Sequence, residues 1–187
     1  MFKRMIIHTN GFTNTLKHRT GLEIIFVENH YRFHSEDCYV MFPIRWRHQP
    51  NLIAEFVRRN LVHQGRLDVV CFSYGGGVWY PKFERLMDRA GRRIHTACLI
   101  DPVPRLGRLH PGRLLGNYKV RVHDADNCVV FRQYIDHPRS PGVVFGNGVN
   151  HDEIIVGSSR VGRKIGHADI DNSLITHKRI FQALEAP

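Results

Sequence analysis

The segment Val69-Val70-Cys71-Phe72-Ser73-Tyr74-Gly75-Gly76 runs an apolar stretch of strand length into a serine and a glycine-rich turn, just ahead of a helical pattern. Such a turn forces its serine into a strained backbone conformation that exposes the hydroxyl, and small flanking residues let strand and helix approach closely. An exposed, strained serine can act as a nucleophile. The competing reading is a glycine-rich turn that binds phosphate or nothing. A nucleophilic serine needs a base to take its proton and a carboxylate to orient that base. Asp101 lies 28 residues further on, at the end of the apolar run Ala97-Cys98-Leu99-Ile100. Adjacent parallel strands are only about 4.8 Å apart, so a carboxylate there can share a rim with the serine. Asp136 is the rival acid, Asp124 and Asp126 are weaker ones, and simple turn capping before Pro102 is the plain alternative for Asp101. With 13 histidines in the chain, position decides the base. His167, in Gly166-His167-Ala168-Asp169-Ile170-Asp171, stands in a late loop before the last helix, where it could fold back over the rim. His151, in Asn150-His151-Asp152, is the second choice. Asp169 or Asp171 could instead cap that helix. Ten other histidines, His177 among them, are read as including solvated surface residues and receive no role.

The run Cys71-Phe72-Ser73-Tyr74-Gly75 resembles the Gly-x-Ser-x-Gly nucleophile elbow of the α/β-hydrolase superfamily, with Cys at the first glycine. The order Ser, acid, His is also that of the superfamily, and the resemblance extends from about residue 4 to 184. It is closest to small lipase- or esterase-like serine hydrolases without a lid domain. The resemblance implies acyl transfer through an acyl-serine: Ser73 attacks, His167 acts as base and then acid, and Asp101 holds the imidazolium. It also implies an oxyanion hole made of backbone N–H groups. One would come from Tyr74, and the other from Phe12, because Asn10-Gly11 stands where relatives often carry His-Gly. No metal or organic cofactor is needed, and an ester is the default substrate. Tyr74, Phe12, Trp46, Trp79 and Tyr80 could line an acyl pocket, or could be core.

The elements that must position these residues follow from apolar periodicity. A short strand is expected at Arg4 to His8, and residues 22 to 33 fit either a helix or a strand at Ile24 to Val27. Val40 to Trp46 reads as a strand with a bulge or end at Pro43. A helix capped by Asn51 and ended by Gly65 is followed by a strand at Leu67 to Phe72. A helix from about Pro81 to Ala90 ends at Gly91, and a strand follows at Ile94 to Ile100. Further strands are expected at Tyr118 to Val122 and Cys128 to Ile135, no periodicity is evident over 137 to 166, and a closing helix spans Ile170 to Leu184. Alternating strands and helices are the pattern of right-handed βαβ units, so the expected fold is α/β: a mainly parallel central sheet with helices on both faces. Ligands bind such sheets beyond the carboxyl ends of the strands, where all the chemistry-bearing residues above are expected.

The 187 residues suit one domain, and 42% hydrophobic with 24% charged residues excludes a wholly disordered chain or a disulfide-dense miniature. Cys38, Cys71, Cys98 and Cys128 show no ligand spacing, which argues against zinc and against a disulfide framework. The start of the chain has one basic pair and no long apolar stretch, so neither a signal peptide nor a membrane span is expected, and the location is expected to be cytoplasmic. The formal charge of +10 is unusual. It raises a second reading, a catalytically inactive hydrolase-fold protein that holds nucleic acid or an acidic partner on a basic face. Arg105, Arg108, Arg113, Lys119, Arg160, Arg163 and Lys164 supply candidate clusters, but no nucleic-acid motif accompanies them. On the favoured reading the same charge selects a small or lipid-like ester, anionic in kind. Oligomeric state is not legible.

Overall fold

The structure is a computed structural model and describes residues 1–11, 21–104, 119–122, 125–135, 142–144, 146, 148–158 and 162–187. In chain order its elements are β1 (Phe2–Asn10), α1 (Gly21–Phe33), β2 (Cys38–Val40), β3 (Ile44–Arg45), α2 (Pro50–Asn60) and β4 (Leu61–Phe72). A π-helical turn at Gly75–Trp79 then leads into α3 (Tyr80–Arg89), followed by β5 (Ile94–Ile100), β6 (Lys119–Arg121), β7 (Ala125–Arg132), β8 (Gly142–Val144) and β9 (Val149–Ile154). A short 3-10 turn at Ile170–Asn172 precedes α4 (Leu174–Glu185). The main sheet has the order β2-β1-β4-β5-β7-β9, with β3 also pairing β1, and every pairing in it is parallel. β6 and β8 form a separate two-stranded parallel ladder.

Both faces of the sheet are covered, which accounts for the unbroken apolar runs of β4 and β5. Val69, Cys71, Ala97, Leu99 and Val130 point to one face and pack with Val57 of α2 and Phe83 and Met87 of α3. Val70, Phe72, Cys98, Ile100 and Phe131 point to the other and pack with Leu22 and Ile25 of α1 and Ile180 and Leu184 of α4. The expected α/β sheet is therefore present. All four cysteines are buried with free thiols, and burial pushes the thiols of Cys71, Cys98 and Cys128 far up, away from reactivity. No helix among the described residues is long and apolar enough to cross a membrane.

At the lower end of the sheet a charged network ties the last helix to the strands. The fully buried Asp68 carboxylate accepts from Arg4 Nε at 2.7 Å and from Arg66 Nε at 3.0 Å. The same guanidinium groups donate to the carbonyls of Leu184 and Ala186, acceptors that the last turn of a helix leaves without intrahelical partners.

Several boundaries differ from expectation. Residues 22 to 33 are helical. α2 starts at Pro50 behind Gln49, which places Asn51 inside the first turn. The helix passes into β4 at Leu61, so Gly65 ends nothing; it lies in a strand whose pairing with β1 slips between Phe2 and Arg4. The expected strand at Val40 to Trp46 is split into β2 and β3 around Pro43. β7 starts earlier than expected because Ala125 already pairs with Ile94, while Tyr134 and Ile135 are exposed beyond its end. β9 has no counterpart in the sequence reading; its Val149 and Ile154 are exposed, so the edge strand carries no apolar alternation. The final helix is capped by Ser173, with a separate turn before it.

Candidate active site

β1, where the strand order reverses, lies beside β4, and Ser73 leaves the carboxyl end of β4 at that switch point. Its φ is +54°, the left-handed region that a side chain adopts only under constraint. Three backbone hydrogen bonds supply the constraint. Ser73 N–H donates to Ile100 O at 2.9 Å, and Ser73 O accepts from Gly77 N–H and Val103 N–H, both at 3.0 Å. Two glycines make room for the turn. A Cβ on Gly11 would stand 2.6 Å from Ser73 Cβ, and one on Gly75 would stand 2.5 Å from Thr9 O. The serine is thus pinned between the end of β1 and the start of the following helix; at 3% exposure it is buried, where the turn alone predicts an exposed hydroxyl, because Gly11 and the following helix pack against it.

Ser73 Oγ lies 2.9 Å from His167 Nε2, and His167 Nδ1 lies 2.6 Å from Asp101 Oδ2. A carboxylate can only accept, so Nδ1 carries the proton and Nε2 is left to accept from the serine hydroxyl. Asp101 follows β5 with a φ of +41° and is fully buried; its N–H donates to Phe131 O at 2.7 Å, locking it to the neighbouring strand. The imidazole of His167 stacks on Phe72 with ring centroids 5.2 Å apart.

Gln133, just past the end of β7, was not anticipated. It is fully buried, donates from Nε2 to Asp101 Oδ2 at 3.0 Å, and accepts on Oε1 from Ile135 N–H at 2.8 Å. Its signal in the sequence is only its position at the end of the strand next to that of Asp101, just before the rival acid Asp136.

The loop carrying His167 is held by its downstream turn. Asp171 Oδ2 accepts from Leu22 N–H at 3.3 Å, so this carboxyl group caps α1 rather than the last helix. Burial raises its pKa to about 7, against the opposing pull of the Leu22 N–H and the nearby His167. The carbonyl of Asp171 accepts from His177 Nε2 at 2.7 Å, while His177 Nδ1 donates to Glu28 Oε2 at 2.7 Å. His177 is therefore a buried bridge between α1 and α4, not a surface residue. Asp169 pairs with Arg163 at 2.7 Å. His8, in β1 three residues before Gly11, is fully buried between Met41 O and Asn29 Nδ2, and burial lowers its pKa to about 4.

Among the other sequence candidates, His151 sits exposed on edge strand β9 in register with Val129, outside the Ser73–His167–Asp101 group. Asp126, the second residue of β7, lies at the opposite end of the sheet and pairs with Arg93 at 2.8 Å. Trp79 and Tyr80 are buried in the core; Trp46 and Tyr74 are half-buried and pack on one another, centroids 5.2 Å apart. Tyr74 begins the helix after Ser73, the end at which backbone N–H groups point out of the helix. Phe12, Asp124 and Asp136 lie outside the described residues, as do Arg105, Arg108, Arg113 and Arg160.

Fold and site together define a doubly wound α/β protein with a Ser–His–Asp chain of hydrogen bonds at its carboxyl rim. No family model matches the chain, and no curated protein matches it in sequence. Its fold is similar to a solved structure described as RedJ with a PEG molecule bound in the active site. The TM-score is 0.56 over 98% of this chain and 93% of that one, at 9% identity. At that identity the likeness shows the fold alone.

Proposed function

We propose that this chain is a serine hydrolase that cleaves a carboxylic ester, of lipase- or esterase-like kind, through an acyl-serine intermediate. The observation that carries the reading is the continuous contact from Asp101 Oδ2 through His167 to the hydroxyl of a conformationally strained serine. Ser73 Oγ attacks the carbonyl carbon as its proton passes to His167 Nε2, and Asp101 stabilises the imidazolium. Charge on the carbonyl oxygen is met by the backbone N–H of Tyr74 and, from the sequence reading, that of Phe12. The alcohol leaves with the Nε2 proton. Water, deprotonated by the same nitrogen, then releases the acid and restores the serine. None of these steps calls for a metal or an organic cofactor. A protein that merely held an anion on a basic face would need neither the strained serine nor the aligned imidazole, so the binding reading ranks second.

The test is hydrolysis of short-chain p-nitrophenyl esters. The native chain turns them over, Ser73→Ala and His167→Ala do not rise above background, and Asp101→Asn loses about 10³–10⁴ in kcat. Turnover that survives Ser73→Ala overturns the proposal.

A further inference from the structure

α2 and α3 pack on the same face of the sheet, and a groove open to solvent runs between their outer surfaces. A recess of about 680 Å³ and a second of about 320 Å³ share Asn51, Leu86 and Arg89 in their walls, so the two form one groove. It follows α3 from Lys82 to Ala90, roughly 12 Å of helical rise, or about two turns. Its apolar surface is aliphatic. Leu52 and Ala54 line it from α2, and Leu86 and Ala90 from the α3 side. Leu52 is 62% exposed, an apolar side chain that the fold itself leaves uncovered.

The rim is basic. Lys82, Arg85 and Arg89 recur at helical spacing along the α3 side, and Arg58 stands on the α2 side. Lys82 and Arg89 make no ion pair or hydrogen bond among the described residues, and Arg85 donates to the carbonyl of Pro81 at 2.9 Å. Glu55 supplies the one carboxylate in the walls among the described residues, and it is already held by Arg58 at 2.9 Å and Arg59 at 2.7 Å. Positive charge is therefore in excess along the groove. Nucleic acid and an acidic protein segment would both answer that charge, and the floor decides between them. Sequence-tolerant nucleic-acid grooves stack bases on aromatic rings, and no aromatic side chain lines this one among the described residues. An aliphatic floor with basic rims fits instead a helix that carries leucine-like side chains on one face and carboxylates on both flanks. We propose that the α2–α3 groove docks an acidic amphipathic helix of a partner protein, with Leu52 and Leu86 as the floor and Lys82, Arg85 and Arg89 as the rim. Ser73, Asp101 and His167 do not line the groove, so the proposal stands apart from the hydrolase reading.

The probe is a fluorescein-labelled peptide of about 18 residues, long enough to form helix, with leucines along one face and glutamates on both flanks. A counterpart carries lysine at every glutamate, and an oligouridylate is the third arm. On the full chain at low salt the acidic peptide should raise fluorescence anisotropy saturably, and the basic one should not. Lys82→Gln with Arg89→Gln should weaken the acidic peptide about tenfold, and so should Leu52→Gln, which changes no charge. All three side chains are exposed, so circular dichroism of these variants should match the native chain. Lys178→Gln with Arg179→Gln, an equal charge change on α4 across the sheet, should leave the affinity intact, as should Ser73→Ala. No saturable binding of the acidic peptide, or binding that every groove variant leaves unchanged, overturns the proposal. An oligouridylate that binds more tightly than the peptide, weakens with Lys82→Gln and Arg89→Gln, and is indifferent to Leu52→Gln overturns it in favour of nucleic acid.

Discussion

At the residue scale the central relation is that Asp101 accepts two hydrogen bonds on one oxygen, from His167 Nδ1 and from Gln133 Nε2. On the proposed mechanism Gln133 touches no reacting atom and acts as a positioning residue through Asp101. Gln133→Leu removes a hydrogen bond to a charged group, worth about 1.5–3 kcal/mol, so kcat should fall about ten- to a hundredfold with KM unchanged. A rise in KM with kcat intact would contradict this role. Two buried titratable groups near the site act on stability in opposite directions. Asp171 has its pKa raised from 3.8 to about 7, so between those values the unfolded chain has lost a proton that the folded chain keeps, and stability falls as pH rises. His8 has its pKa lowered from 6.5 to about 4, so in that window the unfolded chain takes a proton that the folded chain refuses, and stability falls as pH drops. Asp171→Asn keeps an oxygen for the Leu22 N–H and removes the first of these slopes. Its melting temperature should match the native chain near pH 4 and exceed it by on the order of 5–10 °C above pH 7, with a steeper loss on acidification. A lower melting temperature at every pH would show that the carboxylate contributes more than its burial costs. Ser73, Asp101 and His167 were legible as residues at the ends of elements. Gln133, His8 and His177 were not, because their roles depend on burial and on partners 21 to 149 residues away in the chain, which spacing does not report.

At the element scale the site is the meeting of three strand ends with two turns. The close approach of β1 to the serine turn depends on Gly11, whose Cβ would meet Ser73 Cβ at 2.6 Å. Gly11→Ala should therefore leave circular dichroism unchanged while lowering kcat about a hundredfold, the effect of displacing a nucleophile by about an ångström. Full activity in that variant would mean that the turn can give without moving the hydroxyl. β4 and β5 were easy to read because both of their faces are buried, which makes them continuous apolar runs. β9 was not, because its outer residues face solvent. The start of β4 was masked by helix-like apolar spacing that runs through Leu61, a residue that closes α2 and opens the strand at once.

At the scale of the whole molecule, the rim that holds the site is matched at the opposite end of the sheet by the Arg4–Asp68–Arg66 network that anchors α4. Asp68→Ala leaves two largely buried guanidinium groups without their carboxylate and should destabilise the fold by about 3–5 kcal/mol, readable in urea unfolding. A change below about 1 kcal/mol would mean that the helix carbonyls alone satisfy both arginines. The claim on which the rest depends is that Ser73 is an activated nucleophile. Intact-mass spectrometry after exposure to a fluorophosphonate measures this directly: the native chain should gain one phosphonyl adduct, mapped to Ser73, that Ser73→Ala abolishes and His167→Ala slows by orders of magnitude. A folded native chain that takes up no adduct, or takes it up equally well without Ser73, would contradict the account.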